Sequence, residues 1–317
     1  MAQVYSQFEI QDSKPARVAY STGTCFCYLF PQIVARSWFE WLSTMFEAYF
    51  DDSGTHPGAP VAVAACYVST KRGWQTFVEQ WDQARAEEGF DEFHMVDFAA
   101  AHDKSKKPFC DWNREKRVRV YDRLARIVND NKRVGFGAAI PKEPFDKLIP
   151  SLPEAVRVKF GSNHYTYAMR TILLMIANWR RESLIKHPMQ YFFDYTTDRK
   201  LRAEIAILWE HDEERERWGH YFGIERKNGY SFEDKGCFKP LQASDILAWQ
   251  LNSHMRNVIL KGKDDGRDMH RNFRIVRENQ PVDLGFITEQ QLRNNINHEI
   301  AVTQGRASSS YGILRLP

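Results

Sequence analysis

Acidic side chains at the ends of apolar segments are the residues in this sequence best placed to do chemistry. Asp51 and Asp52 follow the apolar run Phe46–Phe50, and Asp194 ends a second apolar run, Met189–Phe193. Functional sites in α/β proteins collect outside strand ends, where the sheet fixes a side chain but leaves it accessible. Asp also begins turns and caps helices, so each of these residues taken singly has an ordinary structural interpretation as well.

Asp245 is harder to explain structurally, because it lies inside an apolar segment with near-helical spacing, Leu241–Val258. Asp is a poor residue for a helix interior, and a charge near a core needs a partner or a metal ion. Together with Asp51 and Asp194 it predicts a cluster that binds Mg²⁺ or Mn²⁺, since these hard cations prefer oxygen ligands. Two such ions about 3.5–4 Å apart can activate water and stabilise the leaving oxygen of a phosphodiester.

Glu92, His94 and Asp52 are the further candidates. If Phe90–Phe98 is extended, alternation puts Glu92 and His94 on the same side of the segment. One of the two could ligate a metal ion and the other could transfer protons. The alternative for His94 is a hydrogen-bonded structural residue.

The densest basic stretch runs from residue 104 to residue 126. Arg119, Arg123 and Arg126 lie three to four residues apart and share a predicted helix face, which could contact phosphates together with Lys106 and Lys107. A solvated helix face is the alternative. The chain as a whole carries 44 Lys and Arg against 41 Asp and Glu, a net charge of +3, which is too small to predict nucleic-acid binding by itself.

Several classes of protein are not indicated. Apolar runs are far shorter than the ~20 residues of a membrane span, and the N-terminus has no signal-peptide pattern. The five scattered cysteines predict free or buried thiols in a reducing compartment, and we expect a cytoplasmic protein. Nucleotide-binding glycine motifs and zinc-ligand spacings are missing from the sequence. Nothing in the sequence indicates an oligomeric state.

The elements that position the acids follow a recognisable order. A strand hairpin over residues 46–68 precedes helices that alternate with strands near 134–140 and 189–194, with a last strand predicted at His220–Glu225. Asp111 is predicted to cap the helix that carries the arginines. This order predicts an α/β fold with a mixed sheet covered by helices, as a single domain over 45–303.

The two ends of the chain differ from this domain. Residues 1–44 show no sustained helical or strand periodicity of apolar residues. We expect the folded domain to begin near Met45, which is also an alternative translation start. Two interpretations stay open for residues 1–44: a poorly ordered N-terminal extension, or a short helix around Ile33–Leu42 that packs on the domain. Residues 304–317 are serine-rich and predict a mobile tail.

Two segments together resemble a known family. Residues 49–54, Tyr-Phe-Asp-Asp-Ser-Gly, resemble the opening "hydrophobic strand, Asp-Glu-Ser-Gly" of the uncharacterised family called domain of unknown function 3800. Residues 241–248, Leu-Gln-Ala-Ser-Asp-Ile-Leu-Ala, resemble its closing "Leu-Gln-x-Ala-Asp-Leu-Leu-Ala". The resemblance covers about residues 46–258 and departs from the family at Asp52, where Glu is usual, and at Ser244, where a small apolar residue is usual.

The resemblance implies a ribonuclease-H-like fold in an often bacterial or phage-borne protein, with functional acids at Asp51 and Asp245 and Asp194 as a third. Our leading hypothesis is a divalent-metal-dependent phosphodiesterase, a nuclease acting on DNA or RNA, with His94 as proton carrier. One alternative is a non-catalytic nucleic-acid- or partner-binding component of a phage-defence or mobile-element system. Another is a haloacid-dehalogenase-like phosphatase, because residues 51–55 nearly match Asp-x-Asp-Gly-Thr, although Ser53 replaces the general acid.

Overall fold

The computed structural model of the chain describes residues 45–100, 102–225, 227–261 and 281–306. The predicted extension over 1–44 and residues 307–317 of the predicted tail lie outside these ranges, as do Cys25 and Cys27. Cys66, Cys110 and Cys237 are free thiols.

Six strands form one mixed sheet in the order β5-β4-β1-β2-β3-β6. The strands are β1 (Phe46–Ser53), β2 (Val61–Thr70), β3 (Val134–Pro141), β4 (Met189–Asp194), β5 (Tyr230–Glu233) and β6 (Val282–Phe286). The first three form an antiparallel meander, whereas β4 runs parallel to β1, β5 parallel to β4, and β6 parallel to β3. The carboxyl ends of β1, β4 and β5 therefore meet at the same end of the sheet.

Ten helices in the described ranges surround the sheet. They are α1 (Lys71–Glu88), α2 (Met95–Ala99), α3 (Arg114–Asn131), α4 (Lys142–Leu148), α5 (Glu154–Phe160), α6 (His164–Glu182), α7 (Arg199–Glu210), α8 (Asp212–Phe222), α9 (Lys239–Lys261) and α10 (Glu289–Thr303). None of these helices is both long enough and apolar enough to cross a membrane.

Helices cover both faces of the sheet. Side chains of α1, α3 and α9 pack on the face that presents Tyr49, while those of α6 and α7 pack on the face that presents Phe50. Nine of the ten residues of β2 are buried, which explains its unbroken apolar run, since a strand covered on both faces has no solvent side. The strand ends are consequently where this sheet can present polar side chains to a ligand.

The predicted fold class is confirmed: the described chain is α/β, with a mixed sheet covered by helices. Two local predictions are wrong. The segment Phe90–Phe98 is not extended throughout, because Met95–Ala99 forms the short helix α2, which buries Met95 and Phe98 on one side. Asp111 does not cap α3; the cap is Asn113, whose side chain accepts a hydrogen bond from the backbone of Lys116.

The prediction of a last strand at His220–Glu225 is also wrong, because no strand forms over these residues. His220 and Tyr221 belong to α8, which ends at the left-handed Gly223 (φ 71°). The buried Arg180 guanidinium donates hydrogen bonds to the carbonyls of His220 and Tyr221, at 3.2 and 2.8 Å, and so satisfies the end of this helix. The next strand, β5, begins at Tyr230, and the last strand of the described chain is β6, which the sequence pattern does not predict.

Candidate active site at the carboxyl ends of β1 and β4

Asp51 and Asp194 lie side by side because β1 and β4 are parallel neighbours. Their register pairs Phe50 with Phe193, so the next residue of each strand is one of these acids. The ammonium of Lys235 lies between them, with Nζ 2.9 Å from Asp51 Oδ2 and 2.9 Å from Asp194 Oδ2. Parallel pairing thus brings together two of the predicted acids, 143 positions apart in the sequence.

Asp245 joins the same cluster from α9, which packs across β1. The hydroxyl of Ser244 donates a 2.7 Å hydrogen bond to the carbonyl of Tyr49, which fixes this turn of the helix against the strand. Asp245 itself is buried, and its Oδ2 accepts a 2.6 Å hydrogen bond from the backbone N–H of Met95. The position of this acid in a helix interior is therefore explained: one oxygen accepts a backbone hydrogen bond, and the other faces the cluster.

His94 connects the buried cluster to the surface. Its Nε2 lies 3.7 Å from Asp245 Oδ1, and its Nδ1 lies 3.9 Å from Asp97 Oδ2. Both distances are too long for direct hydrogen bonds but suit ion pairs or a bridging water. Asp97 in turn pairs with Lys106, at 2.6 Å, so acidic and basic side chains alternate from Asp245 outward to this lysine.

Asp52 and Glu92 lie at the margins of the cluster. Asp52 follows Asp51 on the strand and faces the other side of the sheet; its Oδ2 accepts a 2.7 Å hydrogen bond from Thr55. Glu92 is exposed, and its Oε2 is 3.2 Å from where a Cβ on Gly236 would stand. Glu92 therefore lies beside the turn that carries Lys235, and it makes no ion pair with that ammonium.

Tyr165, on α6, was not among the predicted site residues, although it borders the cluster. Its side chain is buried, and within the described ranges its hydroxyl makes no hydrogen bond. Burial raises the pKa of this hydroxyl well above its usual range, and the negative charges of Asp52, Asp51 and Asp194 raise it further. The hydroxyl is thus a free donor close to these carboxylates. Its position on a helix far from the acidic motifs leaves no signal in the sequence.

The electrostatics of the cluster are dominated by burial. Burial raises the pKa of the Asp51 carboxyl well above its usual range; Lys235 opposes this change, and the neighbouring carboxylates of Asp245, Asp52 and Asp194 add to it. The pKa of Asp245 is raised for the same first reason, with Lys235 and then His94 acting against it. Each carboxylate is therefore costly to keep ionised, because the positive charges nearby do not fully compensate for lost solvation.

Lys235 shows the opposite balance. Burial alone would lower the pKa of its ammonium, but Asp51, Asp245 and Asp194 together raise it far above the usual range. The lysine is therefore held positively charged as the principal counter-ion of the cluster. No sequence pattern marks Lys235, because it lies in the connection between β5 and α9 and meets the acids only through the sheet.

In the part of the chain that the structure describes, no group of three or more His, Cys, Asp or Glu side chains is arranged to hold a metal ion. The Nζ of Lys235 stands between the two strand-end carboxylates. The carboxylates thus lie together at one end of the sheet, and the ammonium of Lys235 separates two of them.

Gln242 organises the backbone around the cluster. Its Oε1 accepts hydrogen bonds from Trp81 Nε1 and from the backbone N–H of Phe93, both at 3.0 Å, and its Nε2 donates to the carbonyl of Lys235 at 2.8 Å. The side chain is fully buried. It therefore ties α1, the residue before His94 and the Lys235 turn to α9, which gives the glutamine of the closing motif a structural role.

Gly54 explains the end of the opening motif. Its φ is +73°, and a Cβ built there would stand 2.1 Å from the carbonyl oxygen of Val61 and 2.2 Å from Asn252 Nδ2. Any larger residue would push the hairpin away from α9. The glycine is thus required for the turn that brings β2 and α9 together beside Asp51.

Two arginines of the basic helix α3 form ion pairs with acids of α1. Arg119 lies 2.9 Å from Glu88, and Arg123 lies 2.7 Å from Glu87 and 3.4 Å from Glu88. Arg126 is exposed and lines a groove of about 990 Å³ whose walls also carry acidic side chains of α3. This face has mixed charge, which makes it a weaker phosphate-binding surface than the sequence predicts.

Comparison of the chain with protein-family models, with curated proteins and with solved structures finds no match. The resemblance to domain of unknown function 3800 accordingly stays a prediction that depends on its two motifs. In the structure those two motifs are neighbours, since one contributes Asp51 and the other Asp245.

Proposed function

We propose that this protein is a divalent-metal-dependent phosphodiesterase that acts on nucleic acid, with Asp51, Asp194 and Asp245 at its centre. The observation that carries the proposal is the convergence of these three acids, from three separate segments, at one end of the sheet. When all three are ionised, Lys235 balances one of their three negative charges. The strand order β3-β2-β1-β4-β5 is compatible with the ribonuclease-H-like fold that the resemblance implies.

The candidate ligand atoms are of the type that a hard divalent cation prefers, although Lys235 separates two of them. All the candidate ligands are carboxylate oxygens, which Mg²⁺ and Mn²⁺ prefer. Burial raises the pKa of Asp51 and of Asp245, and a cation that binds the ionised forms would offset this cost. Asp51, Asp194 and Asp245 would hold it, whereas Asp52 faces the other side of the sheet. When bound, a metal ion of this kind supplies an activated water and charge stabilisation at the leaving oxygen.

His94 supports the reaction as a proton carrier. Its side chain is 38% exposed, so one ring nitrogen faces the buried acid while the ring stays accessible to substrate. The pairing of Asp97 with Lys106 leaves Asp97 only partly available to His94, so the imidazole can exchange a proton with a reacting oxygen or with solvent.

A short basic loop next to His94 is the surface best placed to bind the phosphates of nucleic acid. Lys106 touches Asp97 of the site, while Lys104 and Lys107 on the same loop are exposed and make no ion pair within the described ranges. Their ammonium groups are free to meet a phosphate backbone, unlike Arg119 and Arg123, which pair with acids of α1.

The proposal is tested by cleavage of labelled single- and double-stranded DNA and RNA in Mn²⁺ or Mg²⁺. Asp51→Asn and Asp245→Asn should each lose activity by at least about 100-fold, because a ligand contributes more than the outer-shell partners whose loss costs 10- to 100-fold. Asp283→Asn is the matched control, since Asp283 lies on β6 at an edge of the same sheet and is exposed. Full activity in either site variant would refute the proposal.

The non-catalytic alternative stays open as a different outcome of the same assay. Nucleic-acid binding that is strongly salt-dependent, needs no metal ion and leads to no cleavage would favour a binding component. The ion pairs of Lys235 with Asp51 and Asp194 are the contacts that suit this alternative, in which the acids are structural.

A further inference from the structure

We propose that Tyr195 and Arg202 bind an unpaired base and the phosphate next to it, so that the ligand of this site is single-stranded nucleic acid. The inference rests on the proposed function and deepens it by naming the form of nucleic acid that is bound. Tyr195 directly follows Asp194, the last residue of β4, and Arg202 lies in the first turn of α7. The pair therefore stands at the end of the sheet where the carboxylates meet.

Tyr195 is an exposed aromatic residue on a fixed backbone. Of the aromatic side chains that the structure describes, Tyr195 and Tyr221 are the exposed ones, at 53% and 57%. The backbone N–H of Tyr195 donates a 3.0 Å hydrogen bond to the carbonyl of Glu233, which extends the pairing of β4 with β5 by one residue. A tyrosine has few rotatable bonds, so a ring held in this way loses little conformational entropy when a planar ligand covers it.

Arg202 lies over the Tyr195 ring and has no acidic partner. Its guanidinium carbon is 5.7 Å from the ring centroid, within the range of a cation–π contact. In the part of the chain that the structure describes, Arg202 forms no ion pair, and its Nε is buried without a hydrogen-bond acceptor. Arg119 and Arg123 of α3, in contrast, are paired with acids. A guanidinium without a carboxylate keeps its capacity to bind a phosphate.

The short connection between β4 and α7 holds these two side chains together. Asp198 caps α7, because its Oδ1 accepts hydrogen bonds from the N–H groups of Lys200 and Leu201, at 2.9 and 3.1 Å. Since the cap takes these backbone donors, a phosphate must be bound by side chains instead. Arg199 and Lys200 supply two more, because both are exposed and neither forms an ion pair within the described ranges.

The aromatic ring is the feature that selects a single strand. Cations bind the phosphates of single and double strands alike, so the loop of Lys104 and Lys107 does not separate the two forms. The bases of a duplex are stacked on one another, whereas an unpaired base can stack on an aromatic side chain. The guanidinium of Arg202 extends the platform, because arginine planes also stack on bases.

The two basic surfaces lie on opposite faces of the sheet. Helix α7 packs on the face that presents Phe50, whereas Phe98 of α2, close to the lysine loop, packs on the face that presents Tyr49. The strand ends that carry Asp51 and Asp194 lie between these faces. A single strand that contacts both surfaces therefore passes across the strand ends.

The test is binding of fluorescein-labelled single-stranded DNA and RNA by the full chain, measured by fluorescence anisotropy in EDTA so that no metal-dependent cleavage occurs. An abasic DNA oligomer of the same length keeps the phosphates and lacks the bases. Tyr195→Ala should weaken binding of both single strands by about 5- to 150-fold, the effect of losing one stacked base. It should leave binding of the abasic oligomer unchanged. Tyr195→Phe keeps the ring and should stay within about 3-fold of wild type.

Tyr221→Ala is the matched control. Tyr221 is an equally exposed tyrosine, but it lies near the other end of β4, where the N–H of Met189 donates to the carbonyl of Gly223. This variant should bind both single strands as wild type does. Arg202→Gln should make single-strand binding less salt-dependent, by a slope of about 0.7 for each phosphate that is no longer neutralised.

Unchanged binding in Tyr195→Ala, an equal loss with the abasic oligomer, or an equal loss in Tyr221→Ala would overturn the inference. An unchanged salt slope in Arg202→Gln, or tighter binding of a labelled duplex than of the single strand, would overturn it as well. If Tyr195→Ala does not fold, as judged by circular dichroism, wild type decides alone: it must bind the abasic oligomer at least about 5-fold more weakly than DNA.

Cleavage in Mn²⁺ judges the proposed function separately. Cleavage without an effect of Tyr195→Ala on binding keeps the proposed function and removes this inference. An effect of Tyr195→Ala on binding without any cleavage keeps the base-binding site and removes the proposed hydrolysis.

Discussion

Replacing Gln242 by Leu should destabilise the protein more than any comparable change on the same helix. The side chain is fully buried and makes three hydrogen bonds, with Trp81, Phe93 and the Lys235 carbonyl. Leucine has a similar size, so the change leaves little cavity. It does leave two buried donors and one buried acceptor without a partner.

The magnitude follows from these three groups. Each buried unpaired group costs about 1–3 kcal/mol, and the leucine returns at most about 1.5–3 kcal/mol through apolar burial. The net loss is therefore about 3 kcal/mol, a large part of the roughly 5–15 kcal/mol by which a domain is stable. In urea, with a slope of about 3 kcal/mol per molar, the midpoint should fall by about 1 M.

The matched control is Gln250→Leu, also on α9. Gln250 is buried too, but its one hydrogen bond is to the hydroxyl of Tyr121, at 3.0 Å. Its replacement should cost about 1 kcal/mol, since only one such bond is removed. Urea unfolding of wild type and both variants, followed by tryptophan fluorescence, compares them directly. Equal midpoints for the two variants would refute the reasoning that Gln242 joins three segments.

Three further predictions concern other parts of the molecule. Burial raises the pKa of the Glu47 carboxyl above its usual 4.5. The protonated carboxyl is therefore compatible with the folded state at pH values below 4.5, and the free energy of unfolding falls as the pH rises from there through the folded-state pKa. Glu47→Gln should therefore gain stability over wild type between pH 4 and pH 7 in urea unfolding, and a difference independent of pH would contradict this. Tyr165→Phe should change stability by less than about 0.5 kcal/mol, whereas Tyr191→Phe, whose hydroxyl donates to a backbone carbonyl, should lose about 1 kcal/mol in thermal unfolding. Equal losses in the two tyrosine variants would mean that the Tyr165 hydroxyl is not free. If Lys104 and Lys107 bind DNA phosphates, alanine at both should make DNA binding less salt-dependent, by a slope of about 0.9 for each phosphate that is no longer neutralised; an unchanged slope would exclude this role for the two lysines.

The central strands could be predicted because burial on both faces leaves a clear pattern. β1, β2 and β4 are apolar runs that end in polar turns, and their bounds differ from the predicted ones by only a few residues. The edge strands could not be predicted in this way. β5 has four half-buried residues, and β6 has only five residues, of which two, Val282 and Gly285, are buried, so neither has an apolar run that distinguishes it from a loop.

The acids of the site were predictable for a different reason. Asp51, Asp194 and Asp245 each stand in an apolar context that a charge avoids unless it has a partner. Lys235 was not predictable, because a lysine in a polar connection is ordinary until the parallel pairing of β1 and β4 brings two carboxylates to it.

The ion pairs of the basic helix could not be read from α3 alone. Arg119 and Arg123 have the spacing of a phosphate-binding face, but their partners, Glu87 and Glu88, come from the end of α1. Which helices pack together is a property of the tertiary fold, and a charge pattern along one helix does not contain it.

The most direct test of the central claim is thermal unfolding of the full chain with and without millimolar Mn²⁺. At ten times the dissociation constant, bound cation adds about 1.4 kcal/mol, which raises the unfolding temperature by roughly 2–4 °C. We predict this rise in wild type and in Asp283→Asn, and its loss in both Asp51→Asn and Asp245→Asn. No rise in wild type, or a rise that survives in both site variants, would contradict a cation site built from these carboxylates.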